Sequence, residues 1–281
     1  MEETSGFDIR PLTNAADLAA CIDLQRTIWG RDFDDVIPAS LLTVVPRVGG
    51  VAAGAFDAKE QMLGFVFGIP GVLNGTVIHW SDMLGVHPDA RNRGVGRGLK
   101  DFQRQCARAA GATALLWSMD PLVARNAHFN INRLGARVID YIPDLYGATN
   151  TPLHGGIATD RLIVALPTAE LEIERNIAES ERANASPDCA QGPLVTREWI
   201  EEVRDASILP HCVRVEIPWD GEQLLTARDP RAAEWRASLR ASFEWARGCG
   251  YSPVAVHRSV QQQRAFYLLT RAGTARQMQR A

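Results

Sequence analysis

Between residues 91 and 98 the chain reads Arg91-Asn92-Arg93-Gly94-Val95-Gly96-Arg97-Gly98. Three closely spaced glycines ahead of a helical pattern let successive backbone N–H groups converge at the positive end of a helix, an arrangement that suits a phosphate or pyrophosphate. Glycine is favoured in such a turn because a β-carbon would block close approach of the ligand. Arg91, Arg93 and Arg97 add charge-assisted donors, so anion binding is the chemistry this segment supports. The G-x-G-x-G spacing and the interposed His87-Pro88-Asp89-Ala90 weaken a Rossmann reading, and the missing Gly-Lys-Ser/Thr excludes a Walker loop. A tight packing turn and a solvated cluster of charge are the plain alternatives.

The flanking residues predict the elements that would hold this turn. Val77 to Val86 reads as a strand closed by Pro88, and period two places Trp80, Asp82, Leu84 and Val86 on one face. After the turn, Leu99, Phe102, Cys106 and Ala109 trace a helical stripe stopped by Gly111. Upstream, Asn14 caps a helix carrying Leu18, Ile22 and Trp29, and the runs 51–56 and 63–68 form a hairpin. Downstream, 114–119 reads as a buried strand, and Asp120-Pro121 starts a helix with the stripe Val123, Ala127, Ile131 and Leu134, ended by Gly135. Strands follow at 137–141 and 161–166, separated by a loop holding Tyr146, Gly147, Gly155 and Gly156.

Residues 169–193 are polar and carry no sustained apolar period after Ile177, which suits a linker. Beyond them, Val213, Val215 and Ile217 alternate as a strand, Asp229-Pro230 starts a helix with Trp235, Leu239 and Phe243, and strands close the chain at 252–257 and 264–270. The expected organisation is a domain over 1–168, a linker over 169–193 and a smaller C-terminal α/β unit over 194–281.

Composition narrows the function classes. The 281 residues are 46% hydrophobic and 22% charged, as in an ordinary globular protein. A net charge of -3 supplies no global basic field for nucleic acid or an anionic membrane, so small-molecule chemistry is favoured. The acidic start Met1-Glu2-Glu3 lacks secretory features, and no run is apolar long enough to span a bilayer, so a cytoplasmic location is expected. Five scattered cysteines, odd in number and never spaced C-x-x-C, predict free thiols, and the histidines show no metal-binding spacing, so no metal is expected.

The segment Leu84-Gly85-Val86-His87-Pro88-Asp89-Ala90-Arg91-Asn92-Arg93-Gly94-Val95-Gly96-Arg97-Gly98-Leu99 resembles the coenzyme A-binding motif of GNAT acyltransferases, whose core is Q/R-x-x-G-x-G/A. The resemblance covers roughly residues 7–166. A further likeness, to predicted GNAT proteins some of which are linked with N-succinylation of amino acids, rests on Leu99-Lys100, Trp117 to Leu122, Arg125-Asn126-Ala127, Leu134-Gly135-Ala136, Tyr146-Gly147 and Asp160-Arg161. It implies an α/β fold with a mixed, mostly antiparallel twisted sheet flanked by helices. The implied activity is transfer of an acetyl, succinyl or other acyl group from acyl-CoA to a small-molecule amine by direct attack in a ternary complex. The charge balance speaks against a nucleic-acid or membrane partner, and a homodimer is compatible with this reading.

By the same resemblance, Leu84 and Val86 offer backbone groups to the pantetheine arm, residues 91 and 93–98 hold the pyrophosphate, and Asn126 lies on the cofactor side. Many relatives place a tyrosine acid four residues before the helix-ending glycine, where this chain has Ile131. Tyr146 or Tyr141 then becomes the substitute acid, and Asp82 the candidate base, with His79 and His128 behind it. Arg161 would grip the carboxylate of an amino-acid acceptor, with Asp160 holding the ammonium group or fixing the arginine. Lack of the tyrosine also admits a catalytically silent acyl-CoA sensor.

Overall fold

The computed structural model describes residues 6–31, 33–147, 156–203 and 209–271; Met1, Glu2, Glu3 and Gly155, used above, lie outside them. The chain divides into two compact units, Met1–Trp117 with Pro167–Ala169, and Ser118–Leu166 with Glu170–Ala281.

The first unit runs β1 (Asp8–Pro11), α1 (Ala15–Trp29), α2 (Ala39–Val44), β2 (Val51–Phe56), β3 (Met62–Leu73), β4 (Thr76–Val86), α3 (Val95–Ala109) and β5, which begins at Ala114 and ends at Met119. Asn14 caps α1 as expected, its side chain accepting from the Asp17 amide at 2.9 Å. Strands β1 to β4 pair antiparallel in chain order and β5 joins β4 in parallel, giving the mixed, mostly antiparallel sheet. All of β2 is buried because both sheet faces are covered. Ala52, Phe56, Phe65 and Phe67 meet Leu24 and Leu42 of α1 and α2, while Val51, Ala53, Ala55 and Val66 meet Val95 and Leu99 of α3.

Two expectations fail here for physical reasons. Simple alternation along β4 breaks because Met83 pairs with Phe67 and Ser81 with Gly68, leaving Asp82 as the extra residue of a bulge. Leu84 and Val86 therefore pack toward α3, on the face to which Ser81 and His79 bond, and Asp82 does not share it. The buried face of α3 comprises Val95, Leu99, Lys100, Gln103, Arg104 and Ala107, so the stripe of apolar residues traced only one edge of it.

The second unit holds α4 (Ala124–His128), continued by a π-helical turn Phe129–Arg133, then β6 (Arg137–Ile142) and β7 (Arg161–Pro167), an antiparallel pair. There follow α5 (Glu170–Ala185), α6 (Pro187–Ala190), α7 (Arg197–Glu202), β8 (Cys212–Ile217), α8 (Gly221–Thr226), α9 (Arg231–Gly248), β9 (Tyr251–Ser259) and β10 (Arg264–Arg271), with β10 between β8 and β9 in an antiparallel sheet.

Residues 170–185 are thus helical where a linker was expected. The face that α5 buries is Ile173, Asn176, Ser180 and Ala183, small or polar residues that give no apolar period. The first helix begins at Ala124 instead of Pro121, because Asp120 accepts from the Leu122 amide in a turn and is bonded by arginines. Free thiols fail at two positions: Cys189 of α6 and Cys212 of β8 form a disulfide, while Cys21, Cys106 and Cys249 stay reduced. Among the described residues no helix is long and apolar enough to cross a membrane.

Candidate functional site

The first unit brings Asp82, Leu84, Val86 and the glycine-arginine turn onto one continuous stretch of chain. Strand β4 leads through a 3-10 turn, Pro88–Ala90, into α3, and Gly94 takes the N-cap position at φ 82°, a left-handed conformation that favours glycine. No side chain caps this helix, so its first amides remain available to an anion. Arg91, Arg93 and Arg97 are exposed around it.

The three glycines have different reasons. A β-carbon at Gly94 would meet no atom within 4 Å, one at Gly96 would sit against Val86 and Leu84 at 3.6 and 3.8 Å, and one at Gly98 would strike Ile9 at 2.9 Å. Gly94 therefore serves the turn and Gly98 serves packing. A side chain at Gly96 would lie on β4, so the steric screening of a ligand expected there is not supported at that position.

Strand β4 is open along the edge that follows. Its parallel pairing with β5 is confined to His79↔Leu115 and Trp80↔Leu116, although β4 runs on to Val86. Among the described residues no strand pairs with β4 on that side beyond Trp80, the stretch that holds Leu84 and Val86. Asp82 sits at the start of this stretch and is exposed. Desolvation by its surroundings raises its carboxyl above the usual carboxylate value, Trp80 opposes through a hydrogen bond, and the like charge of Asp35 adds to the rise. A raised carboxyl suits a general base working near neutrality.

Beneath the fork lies a cluster that the apolar pattern did not disclose. Lys100 Nζ donates to Ser81 Oγ at 2.6 Å, approaches Gln103 Oε1 at 3.4 Å and stands 4.2 Å from the centroid of the Trp117 ring. Gln103 Nε2 lies 3.2 Å from His79 Nε2. All five side chains are buried. Gly68 of β3 makes room for them, since a β-carbon there would fall within 2.5 Å of His79 and Gln103. Burial lowers Lys100 to about 7, and burial followed by the charge of Lys100 lowers His79 to about 4. His79 is therefore neutral and committed to the interior. The helical spacing of Lys100, Gln103 and Ala107 was the signal available in the sequence.

The second unit holds the other predicted residues. Asp160 is fully buried and accepts from the Tyr141 hydroxyl, the Asp144 amide at 3.0 Å and the Arg240 guanidinium. Burial alone would raise its carboxyl, but the bonds from Arg240 and Tyr141 outweigh that and hold it low. Arg161 bonds Asp120 at 3.0 Å, and Arg236 grips both oxygens of Asp120 at 2.9 and 2.6 Å. Asp160 and Arg161 are thus members of a buried ionic network and already have partners, which argues against a grip on an acceptor. Tyr141 is buried, and burial with the Asp160 bond pushes its hydroxyl far up, so it is no acid.

Tyr146 is 48% exposed, its hydroxyl 2.7 Å from Ser118 Oγ and its ring under Arg161. Asn126 is exposed and accepts from Asn130 at 2.9 Å, and Ile131 is buried. Burial, with Arg258 and Arg133 adding, lowers His128.

The sequence matches no protein-family model and no curated protein. Among solved structures the chain is similar to yncA, a putative acetyltransferase from Salmonella typhimurium with its cofactor acetyl-CoA, at 20% identity over 59% of this chain and 95% of that one, TM-score 0.46. It is also similar to an aminoglycoside 6'-N-acetyltransferase complexed with coenzyme A, at 16% identity over 58% and 97%, TM-score 0.44. A third likeness is to the ribosomal-protein-S18-alanine N-acetyltransferase from Escherichia coli, at 18% identity over 58% and 94%, TM-score 0.44.

Proposed function

We infer that the chain is a GNAT-type acyltransferase, with residues 1–168 as its catalytic domain, moving an acyl group from acyl-CoA to the amine of a small molecule. The observation that carries this reading is the fork between β4 and β5, whose pairing stops at Trp80↔Leu116 and leaves the edge at Leu84 and Val86 open just before an uncapped helix start. An extended arm can add to such an edge by backbone hydrogen bonds, as an added strand does. Its pyrophosphate then falls to the amides after Gly94 and to Arg91, Arg93 and Arg97.

In this reading Asp82 takes the proton of the attacking amine, at the bulge where the arm would end. Acetyl and succinyl donors both remain open, as does an amino-acid acceptor, for which Arg161 is not carried forward because its guanidinium is bound to Asp120. Asn126, exposed on its helix, stays the candidate cofactor-side residue, and the half-exposed Tyr146 hydroxyl stays a candidate acid.

Titration calorimetry with coenzyme A tests the cradle. The wild type should bind, and the double variant Arg93→Ala/Arg97→Ala should bind at least about 10-fold more weakly, two charge-assisted contacts being lost. Equal affinity in the folded variant would remove the pyrophosphate assignment. A second reading, an acyl-CoA sensor without turnover, is favoured by the buried Ile131 where a tyrosine acid would stand. Coenzyme A binding without thiol release from any acyl-CoA would select it.

A further inference from the structure

The one remaining tyrosine candidate for the acid, Tyr146, belongs to the second unit, whereas the fork of the first unit itself contains a buried pair suited to the task. Ser81 and Trp117 are the first residues past the last paired positions, Trp80 and Leu116, one on each arm. Lys100 reaches both of them from α3, by the 2.6 Å bond to Ser81 Oγ and by its seat over the Trp117 ring. Lys100 therefore stands at the apex, where the two strands part.

Ser81 and the bulge residue Asp82 that follows it do not share a face of the sheet. Ser81 faces α3, and Asp82 neighbours Asp35 in the segment between α1 and α2. An amine deprotonated on one face and a thiolate protonated on the other would keep the two proton transfers apart.

We propose that Ser81 is the acid that protonates the leaving thiolate and that Lys100 is the positioning residue that resupplies its proton. The proposal rests on the acyl-CoA reading, which places the thioester at the bulge. The acceptor nitrogen bonds to the thioester carbonyl carbon and loses its proton to Asp82. The carbon–sulfur bond breaks with its electron pair on sulfur, sulfur takes the Ser81 Oγ proton, and Ser81 takes one from the Lys100 ammonium. Lys100 ends neutral and Asp82 ends protonated; exchange with solvent resets both, so the transfer balances without a further reactant.

The surroundings of Lys100 make it a suitable proton source. Desolvation lowers it to about 7, and the Trp117 ring face 4.2 Å away offers its ammonium form a favourable contact. His79 of β4 feels the charge of Lys100, and with its own value near 4 it stays neutral while Lys100 titrates. On the same face β2 and β3 present Ala53, Ala55, Val66 and Gly68, β5 presents Trp117, and α3 adds the uncharged Gln103. Arg104, the other buried cation of α3, is bonded to the Thr168 carbonyl at 3.0 Å. The relay needs the ammonium form, so its contribution is present below about pH 7 and is lost as pH rises through that value.

The experiment measures thiol release from acetyl-CoA against pooled amines and amino acids, for wild type, Ser81→Ala and Lys100→Met, across the neutral pH range, with coenzyme A affinity followed by calorimetry. Wild-type kcat should fall as pH rises through about 7. Both variants should lose that limb and about 100-fold in kcat, with coenzyme A affinity unchanged. Variants that bind coenzyme A and keep wild-type kcat and its limb would overturn the relay while leaving the acyltransferase reading intact. A wild-type kcat that stays level or climbs through pH 7 overturns it without recourse to the variants. A wild type that neither binds coenzyme A nor releases thiol overturns both.

Discussion

Asp120 shows how one side chain can mislead a reading of sequence and still be decisive for structure. Followed by proline, it has the form of a helix cap. Its oxygens instead serve Leu122, Arg161 and Arg236, and only about one tenth of the side chain is exposed. Removing one member of a buried ion pair leaves an uncompensated charge, at a cost of about 3–5 kcal/mol. Asp120→Asn should therefore lower the unfolding free energy by about that amount, read by chemical denaturation, and Asp120→Leu by no less. A change below about 0.5 kcal/mol would show that the network contributes little. The arginines of this network come from β7 and α9, far apart in sequence, so no local pattern could announce it. The glycine-arginine turn was legible because all its parts are consecutive, whereas the Lys100 cluster draws on β4, α3 and β5 and is polar where the eye follows apolar residues.

At the scale of elements, legibility tracks how each one buries its surface. Strands β2, β4 and β5 and helices α1 and α3 were found with nearly their observed limits, since continuous apolar runs bounded by turn residues mark the strands and a helical stripe marks the helices. Strand β3 was cut short at Gly68, although Asn74-Gly75, both at positive φ, is a turn signal that extends the hairpin to Leu73. Helix α5 was missed because Asn176 faces inward, its amide donating to the Gly135 carbonyl at 2.8 Å and its oxygen accepting from Arg137. The bulge at Asp82 is a property of pairing with β3, which the β4 sequence alone does not carry.

The disulfide belongs to this scale too, since it fastens α6 to β8 across a separation of 23 residues. A closed loop of that size restricts the unfolded chain by about 3 kcal/mol. Cys212→Ser should lower Tm under oxidising conditions, and a reductant should abolish the difference from wild type. Equal Tm values without reductant would show that the two sulfurs are not joined in solution.

For the whole molecule, composition and charge pointed to small-molecule chemistry, and the glycine-arginine turn pointed to an anion. The resemblance implied open backbone groups at Leu84 and Val86, whereas no local pattern carries the point at which β4 and β5 stop pairing. In the proposed function this open edge is what would let the glycine-arginine turn serve an extended acyl carrier, and the proposal stands on it. Identity of the acceptor was not legible, since the residues nominated to hold it, Asp160 and Arg161, are committed to the interior of the second unit. The most direct test is a mass-spectrometric screen of acetyl-, succinyl- and longer acyl-CoAs against pooled amines, amino acids and short peptides, with free thiol followed in parallel. The account predicts an amine that gains the mass of one acyl group, with one thiol released for each, at a rate that Asp82→Asn lowers more than it lowers acyl-CoA affinity. Intact coenzyme A thioesters and unmodified amines in every pairing, together with no heat of coenzyme A binding, would contradict it.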